Sequence, residues 1–343
     1  MSMLAFETLI TISEFVAEPR TRKSIFEIVK MTRVCRYWRS TLISYPHLWS
    51  SIFVKNDHTD FIAACLERSR ELPLTVDLDL KYCEYPACTC IRDERWLGWR
   101  IDESNHPCRY HTTIRPLLNY DLVQRIRKLD IRLDMNDAPG EGPNRVFNDA
   151  LDDFHFSLPL PFLDSFSFSV DHELDIHTHL SFSRSLFDWA TSPPARLRHL
   201  TLRGCYGHPI CAVRDLTSFE PAGVEDVDPI ELNQRSFLPF ISGSPSLVSL
   251  TLSHCAFPDR AELSQVNPVE LAKLKTLRLK GAYGLPGLFG LIEAPAFKTL
   301  SSLRISIQKQ AQPPHFHFQV HAESEDGFQL SYDTADDYEL VSD

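Results

Sequence analysis

Of 343 residues, 43% are hydrophobic and 24% charged, which supports a sizeable core and excludes a compositionally disordered chain. Lys and Arg number 35 against 46 Asp and Glu, a net charge of -11, which argues against a general nucleic-acid binder because phosphate binding rests on clustered cations. No apolar run reaches the ~18 residues of a membrane span, no basic leader precedes an apolar core, and the odd count of 9 cysteines reads as free thiols in a reducing compartment. The expected location is therefore cytoplasmic or nuclear, without a membrane partner.

The charge is uneven. Residues 1–55 carry eight cations and four anions, whereas residues 322–343 carry eight anions and no cation. A tail of that kind is expected to be solvated.

Residues 4–49 predict compact helices. Leu9, Ile12, Phe15 and Val16 recur at helical spacing, as do Ile25, Phe26 and Val29, and then Val34, Trp38 and Leu42. Pro19 closes the first pattern and Tyr45-Pro46 the last. Three such helices make a bundle too small to fold robustly alone, so it is expected to lean on a partner or on the following domain.

The strings Leu4-Ala5-Phe6-Glu7-Thr8-Leu9, Ile12, Val34-Cys35-Arg36-Tyr37-Trp38-Arg39 and Leu48-Trp49 resemble an F-box, over about one seventh of the chain. Ala5, Thr8 and Ser13 stand where that family carries proline, an aliphatic residue and phenylalanine. The continuation through Ile52, Leu66-Glu67-Arg68-Ser69 and Leu72-Pro73-Leu74 resembles the F-box proteins expanded in mushroom-forming fungi. The resemblance implies docking onto a Skp1-like adaptor of a cullin-RING ubiquitin ligase. Leu4, Leu9, Ile12, Val34, Cys35, Trp38, Leu48 and Trp49 would then either form the bundle core or anchor that partner. Without the resemblance, Val34, Trp38 and Leu42 are simply the core of a helical cap.

Further along, Asp57–Ser69 reads as a helix, and Leu74 to Leu80 alternates apolar and polar residues as a half-buried strand does. Residues 81–111 form an irregular segment in which Cys83, Cys88, Cys90 and Cys108, with His106 and His111, offer soft ligands. Their spacing departs from paired two-residue zinc knuckles, and free thiols are the plainer expectation, so no cofactor is assigned.

An internal repeat follows. Its copies are Ile126-x-x-Leu129-x-Ile131, Leu163-x-x-Phe166-x-Phe168, Leu197-x-x-Leu200-x-Leu202, Leu247-x-x-Leu250-x-Leu252, Leu274-x-x-Leu277-x-Leu279 and Leu300-x-x-Leu303-x-Ile305, separated by 37, 34, 50, 27 and 26 residues. Three copies extend to Cys205, Cys255 and Ala282. This pattern resembles the strand of leucine-rich repeats. The two apolar residues flanking one polar residue share a strand face, and the first leucine enters from the preceding turn. Outer helices are expected at 180–190, 236–242 and 287–292, and a terminal strand pair at 315–320 and 327–332.

The expected fold is α/β, an N-terminal three-helix F-box over residues 1–52 followed by an irregular leucine-rich-repeat solenoid with stacked parallel strands over 53–321 and an acidic tail over 322–343. Polar positions between and after the leucines, Arg198, Arg203, Thr251, Arg278 and Lys280, suggest a basic inner surface for an acidic or phosphorylated protein target. His172, His177 and His179 lack the spacing of a metalloprotease helix, Gly284, Gly287 and Gly290 match no nucleotide loop, and His254 reads as a surface residue beside a strand end. No catalytic signature is present, so the chain reads as an adaptor rather than an enzyme. A stand-alone leucine-rich scaffold is the alternative.

Overall fold

The computed structural model describes residues 5–17, 22–55, 59–81, 123–134, 160–170, 194–204, 213–223, 230–232, 237, 240–257, 269–281, 288, 302–306, 328–331 and 337–342. The protein is mixed α/β, and its chain divides into two compact units. One comprises Met1–Ala138 with Leu158–Leu163, the other Pro139–Ser157 with Asp164–Asp343.

The first unit opens with three helices, α1 (Phe6–Ala17), α2 (Arg22–Met31) and α3 (Arg36–Ser44). The face α1 buries is Leu9, Ile10 and Ser13, rather than the expected stripe of Leu9, Ile12, Phe15 and Val16. Ser13 tolerates this position because its hydroxyl donates to the Ile10 carbonyl at 2.8 Å. Cys35 opens α3 in an extended conformation, and its Sγ accepts the Trp38 N–H at 3.5 Å. The helix stops at Ser44 because Pro46 disfavours a helical Tyr45. A single 3-10 turn, Pro46–Trp49, follows. There the Trp49 indole donates to the Leu42 carbonyl at 2.9 Å.

The chain then enters a ladder of parallel strands, β1 (Ser51–Lys55), β2 (Leu74–Lys81) and β3 (Ile126–Asp134), with α4 (Thr59–Ser69) between the first two. Both α4 and β2 occupy the predicted positions. β1 carries no strand pattern of its own, and its register explains why it forms: Ile52 lies beside Val76, which in turn lies beside Leu129, so its apolar residue joins an existing row. Arg68 of α4 covers the Trp49 ring at 4.4 Å. Arg125 donates to the Leu72 carbonyl and to Ser69 Oγ, the latter at 2.8 Å, and so ties the turn after α4 to the start of β3.

In the second unit the strands β4 (Ser165–Val170), β5 (His199–Arg203), β6 (Ser218–Ala222), β8 (Ser249–Ser253), β10 (Thr276–Lys280) and β11 (Ser302–Ser306) run parallel in that order. A separate pair joins β7 (Ile230–Glu231) and β9 (Cys255–Ala256). The last two strands, β12 (Phe328–Ser331) and β13 (Asp337–Ser342), are antiparallel, and β13 pairs with β11. Among the described residues, β12 thus meets the expected strand at 327–332, its partner coming from the acidic tail. The 315–320 segment lies outside the described residues.

Each predicted copy with described side chains buries its two apolar positions. Phe166 and Phe168, Leu200 and Leu202, Leu250 and Leu252, and Leu277 and Leu279 line one face. Full burial of such side chains stabilises by about 1.5–3 kcal/mol each, and an isolated strand cannot provide it. The entering leucines Leu163, Leu197, Leu247 and Leu274 each donate to the carbonyl three residues back, at 3.0–3.1 Å. The carbonyls of Asp164, Arg198, Thr217 and Val248 each accept two successive N–H groups from the next strand. One copy escaped the sequence pattern. Leu216-x-x-Phe219-x-Pro221 forms β6 and divides the 50-residue interval between Leu197 and Leu247. Its proline and its non-leucine second position hid it.

The strand exits are also regular. Gly204, His254 and Gly281 adopt left-handed backbone with φ of 69, 51 and 54. The expectation of a surface His254 is corrected: its side chain is buried. It sits against Gly223, where an added Cβ would come within 2.5 Å of the His254 carbonyl oxygen. Cys255, next in sequence, is buried, and burial pushes its thiol up to about 12. Of the expected outer helices, residues 237, 240–242 and 288 are helical and segment 180–190 lies outside the described residues. Phe240 packs on Phe219 with ring centroids 4.5 Å apart.

Candidate interaction surfaces

The predicted partner-binding residues separate into two groups. Leu9, Leu48 and Trp49 are buried, so of the two expected roles they take that of core. Ile12, Val34 and Cys35 are exposed, and Trp38 is half-buried. Leu4 lies outside the described residues. Two further exposed aromatic side chains, Phe6 and Phe15, belong with Ile12 on α1. Phe15 is 80% exposed and Val34 62%, values far from those of a core hydrophobe. The helical spacing places Phe15 on the packed face because Leu9 and Ile10 are both apolar and either can centre the stripe. Packing selects the face carrying Ile10 and Ser13.

Side-chain bonds make this head specific in shape. The Tyr45 hydroxyl donates to Glu14 Oε1 at 2.6 Å, which ties the end of α3 to α1. That hydrogen bond, with burial and the carboxylate charge, raises the Tyr45 pKa. Arg39 donates to the Thr32 carbonyl at 3.1 Å and fixes the connection that presents Val34. Phe26 is also exposed at its edge but stacks on Phe61, with centroids 6.3 Å apart.

The polar faces of the two ladders differ in chemistry. In the first unit Asp77 lies beside Asp130, and Asp79 beside Arg132. Arg132 bridges the carboxylates, 3.1 Å from Asp77 and 3.4 Å from Asp130. Burial raises the Asp77 carboxyl pKa, Arg132 opposes that rise, and Asp130 and Asp79 reinforce it. Burial works against the Arg132 charge, but Asp77 and Asp130 outweigh it and leave its pKa raised.

In the second unit the polar row holds Ser167, Thr201, Glu220, Thr251 and Arg278, one each on β4, β5, β6, β8 and β10. Arg203, Arg278 and Lys280 are exposed and Thr251 is half-buried. Arg198 is half-buried, and its Nη1 donates to the Asp215 carbonyl at 2.8 Å, which ties it to the fold.

The cysteine-rich candidates Cys83, Cys88, Cys90 and Cys108 lie outside the described residues, as do His106, His111, His172, His177, His179, Gly284, Gly287 and Gly290. Among the described residues no group of three or more His, Cys, Asp or Glu is placed to hold a metal ion. No helix of the described residues is long and apolar enough to cross a membrane. Comparison with protein-family models, with curated proteins and with solved structures finds no match to the chain.

Proposed function

We propose that this chain is a substrate-recruiting adaptor of a Skp1-cullin-F-box ubiquitin ligase. The α1–α3 head docks a Skp1-like adaptor, and the leucine-rich strand ladder, a solenoid in this reading, holds a protein target. The work is cytoplasmic or nuclear and involves no chemistry by the chain itself, no nucleic acid and no membrane. One observation carries the reading: a head whose sequence resembles an F-box leaves Phe6, Ile12, Phe15 and Val34 exposed while Leu9, Leu42 and Trp49 form its core. Large apolar side chains left exposed, such as Ile12 and Phe15 one turn apart on α1, are costly on a free surface and useful at an interface.

The placement of the side chains dictates the test. Removing Leu9 would unfold the head and prove nothing about docking. The informative variant is Phe15→Asp with Val34→Asp, both on exposed positions. Capture of a co-expressed Skp1-like adaptor should fall to background while the unfolding temperature stays near that of the wild type. Capture at the wild-type level by this folded variant contradicts the proposal.

A second reading is favoured by a specific observation. Trp49 and Arg68 join the head to α4, and the Ser50 carbonyl accepts the Thr75 N–H of β2 at 2.9 Å. A head so joined also suits a cap on a stand-alone leucine-rich scaffold. A cap leaves the chain monodisperse alone, whereas a docking head makes it self-associate until the adaptor is supplied.

A further inference from the structure

The last strand of the second unit breaks the rule of the others. From β4 to β11 every neighbour is parallel, yet β13 runs antiparallel along β11. Its register sets Leu303 beside Leu340, Arg304 beside Glu339, Ile305 beside Tyr338 and Ser306 beside Asp337. Apolar residues thus match apolar residues, and acidic residues match the polar row that contains Arg304 and, on the next strand, Arg278. A one-residue slip would set Glu339 and Asp337 against Leu303 and Ile305, so the alternation specifies this register. Beyond Arg304 the same end of the ladder carries exposed Arg278 and Lys280.

We infer that the outer edge of β11 is a binding site for an extended peptide in which acidic and apolar residues alternate, and that β13 occupies it as an internal stand-in. Strand addition to a sheet edge takes its affinity from main-chain hydrogen bonds and its selectivity from alternate side chains. The sequence Asp337-Tyr338-Glu339-Leu340 supplies both features, and the adjacent arginine row supplies the charge complement. The inference extends the proposed target-binding role of the ladder by naming the chemistry of the target segment. Because β13 is tethered, its effective concentration at the edge is on the order of millimolar, so a target must displace it or arrive when it is released.

The probe is a synthetic fluorescent peptide of residues 333–343, titrated into the full chain with no adaptor present. The wild-type chain should bind it weakly. The full chain carrying Asp337→Lys and Glu339→Lys, which loosens its own strand, should bind at least tenfold tighter. Adding Arg278→Glu and Arg304→Glu to that variant should remove the gain. A second measurement uses the unaltered chain: excess unlabelled peptide should speed amide exchange in residues 337–342 and leave residues 249–253 unchanged. Equal peptide affinity of wild type and the lysine variant, or exchange in 337–342 that the peptide does not alter, overturns the inference. The adaptor is absent, so a failed head-docking experiment leaves this outcome unaffected, and the reverse also holds.

Discussion

The helical head and the strand ladders treat their hydrophobic residues in opposite ways. In the strands, pairs such as Val76 and Leu78, Phe166 and Phe168, Leu250 and Leu252, and Leu277 and Leu279 are buried. In the head, Phe6, Ile12, Phe15 and Val34 are exposed even though the same short segment builds a core from Leu9, Leu42 and Trp49. The ladder therefore satisfies itself by repetition, each strand covering its neighbour's leucines. The head does not satisfy itself, and its leftover apolar surface is the physical reason to expect a partner.

The sharpest way to break this comparison is to truncate one residue of each kind. Leu250→Ala, at a fully buried ladder position, should cost about 2–5 kcal/mol in denaturant unfolding. Phe15→Ala, on the exposed face of α1, should change stability by no more than about 0.5 kcal/mol. Similar losses for both would mean that Phe15 is core and that the head has no spare surface.

A smaller effect sharpens the ladder side. Gly223→Ala places a methyl within 2.5 Å of the His254 carbonyl and 2.8 Å of its Cβ, a backbone contact that cannot rotate away. The expected cost is about 1–3 kcal/mol by differential scanning calorimetry. An unchanged unfolding temperature would show that the strand exits are looser than their left-handed, hydrogen-bonded geometry implies.

The smallest effect concerns the polar faces. Burial raises the Asp77 carboxyl pKa above its unfolded value despite Arg132. The proton is held more tightly in the folded chain, so this group's contribution to stability is complete below the unfolded pKa and is lost as pH rises through the folded one. Asp77→Asn should flatten that part of the acid-range stability profile, measured by urea unfolding at several pH values. A profile identical to the wild type would remove Asp77 as its source.

What the sequence reveals follows the strength of its periodic signals. The copies at Leu197, Leu247 and Leu274 are legible because two leucines around one polar residue have no simpler solution than a half-buried strand. β6 is not legible, since Pro221 and Phe219 replace the leucines and only packing between β5 and β8 reveals their equivalence. β1 is hidden for a related reason: Ile52 becomes one of a row only once β2 lies beside it. The head shows the limit of periodicity. Leu9 is visible as core, but the choice between Ile10 and Ile12 as its companion is made by tertiary contacts, and that choice decides which residues are left to meet a partner. Likewise Arg198 looks like a surface cation until the Asp215 carbonyl is seen at 2.8 Å.

The central claim is that the exposed apolar residues of the head are a docking surface. Its most direct test is the equilibrium affinity of the full chain for a purified Skp1-like adaptor, measured by calorimetric titration for the wild type, Phe15→Asp and Val34→Asp. Interface anchors carry about 2 kcal/mol or more each, so each variant should bind roughly thirtyfold more weakly at unchanged stability. Affinities equal to the wild type in both folded variants, or no binding by the wild type, would contradict it.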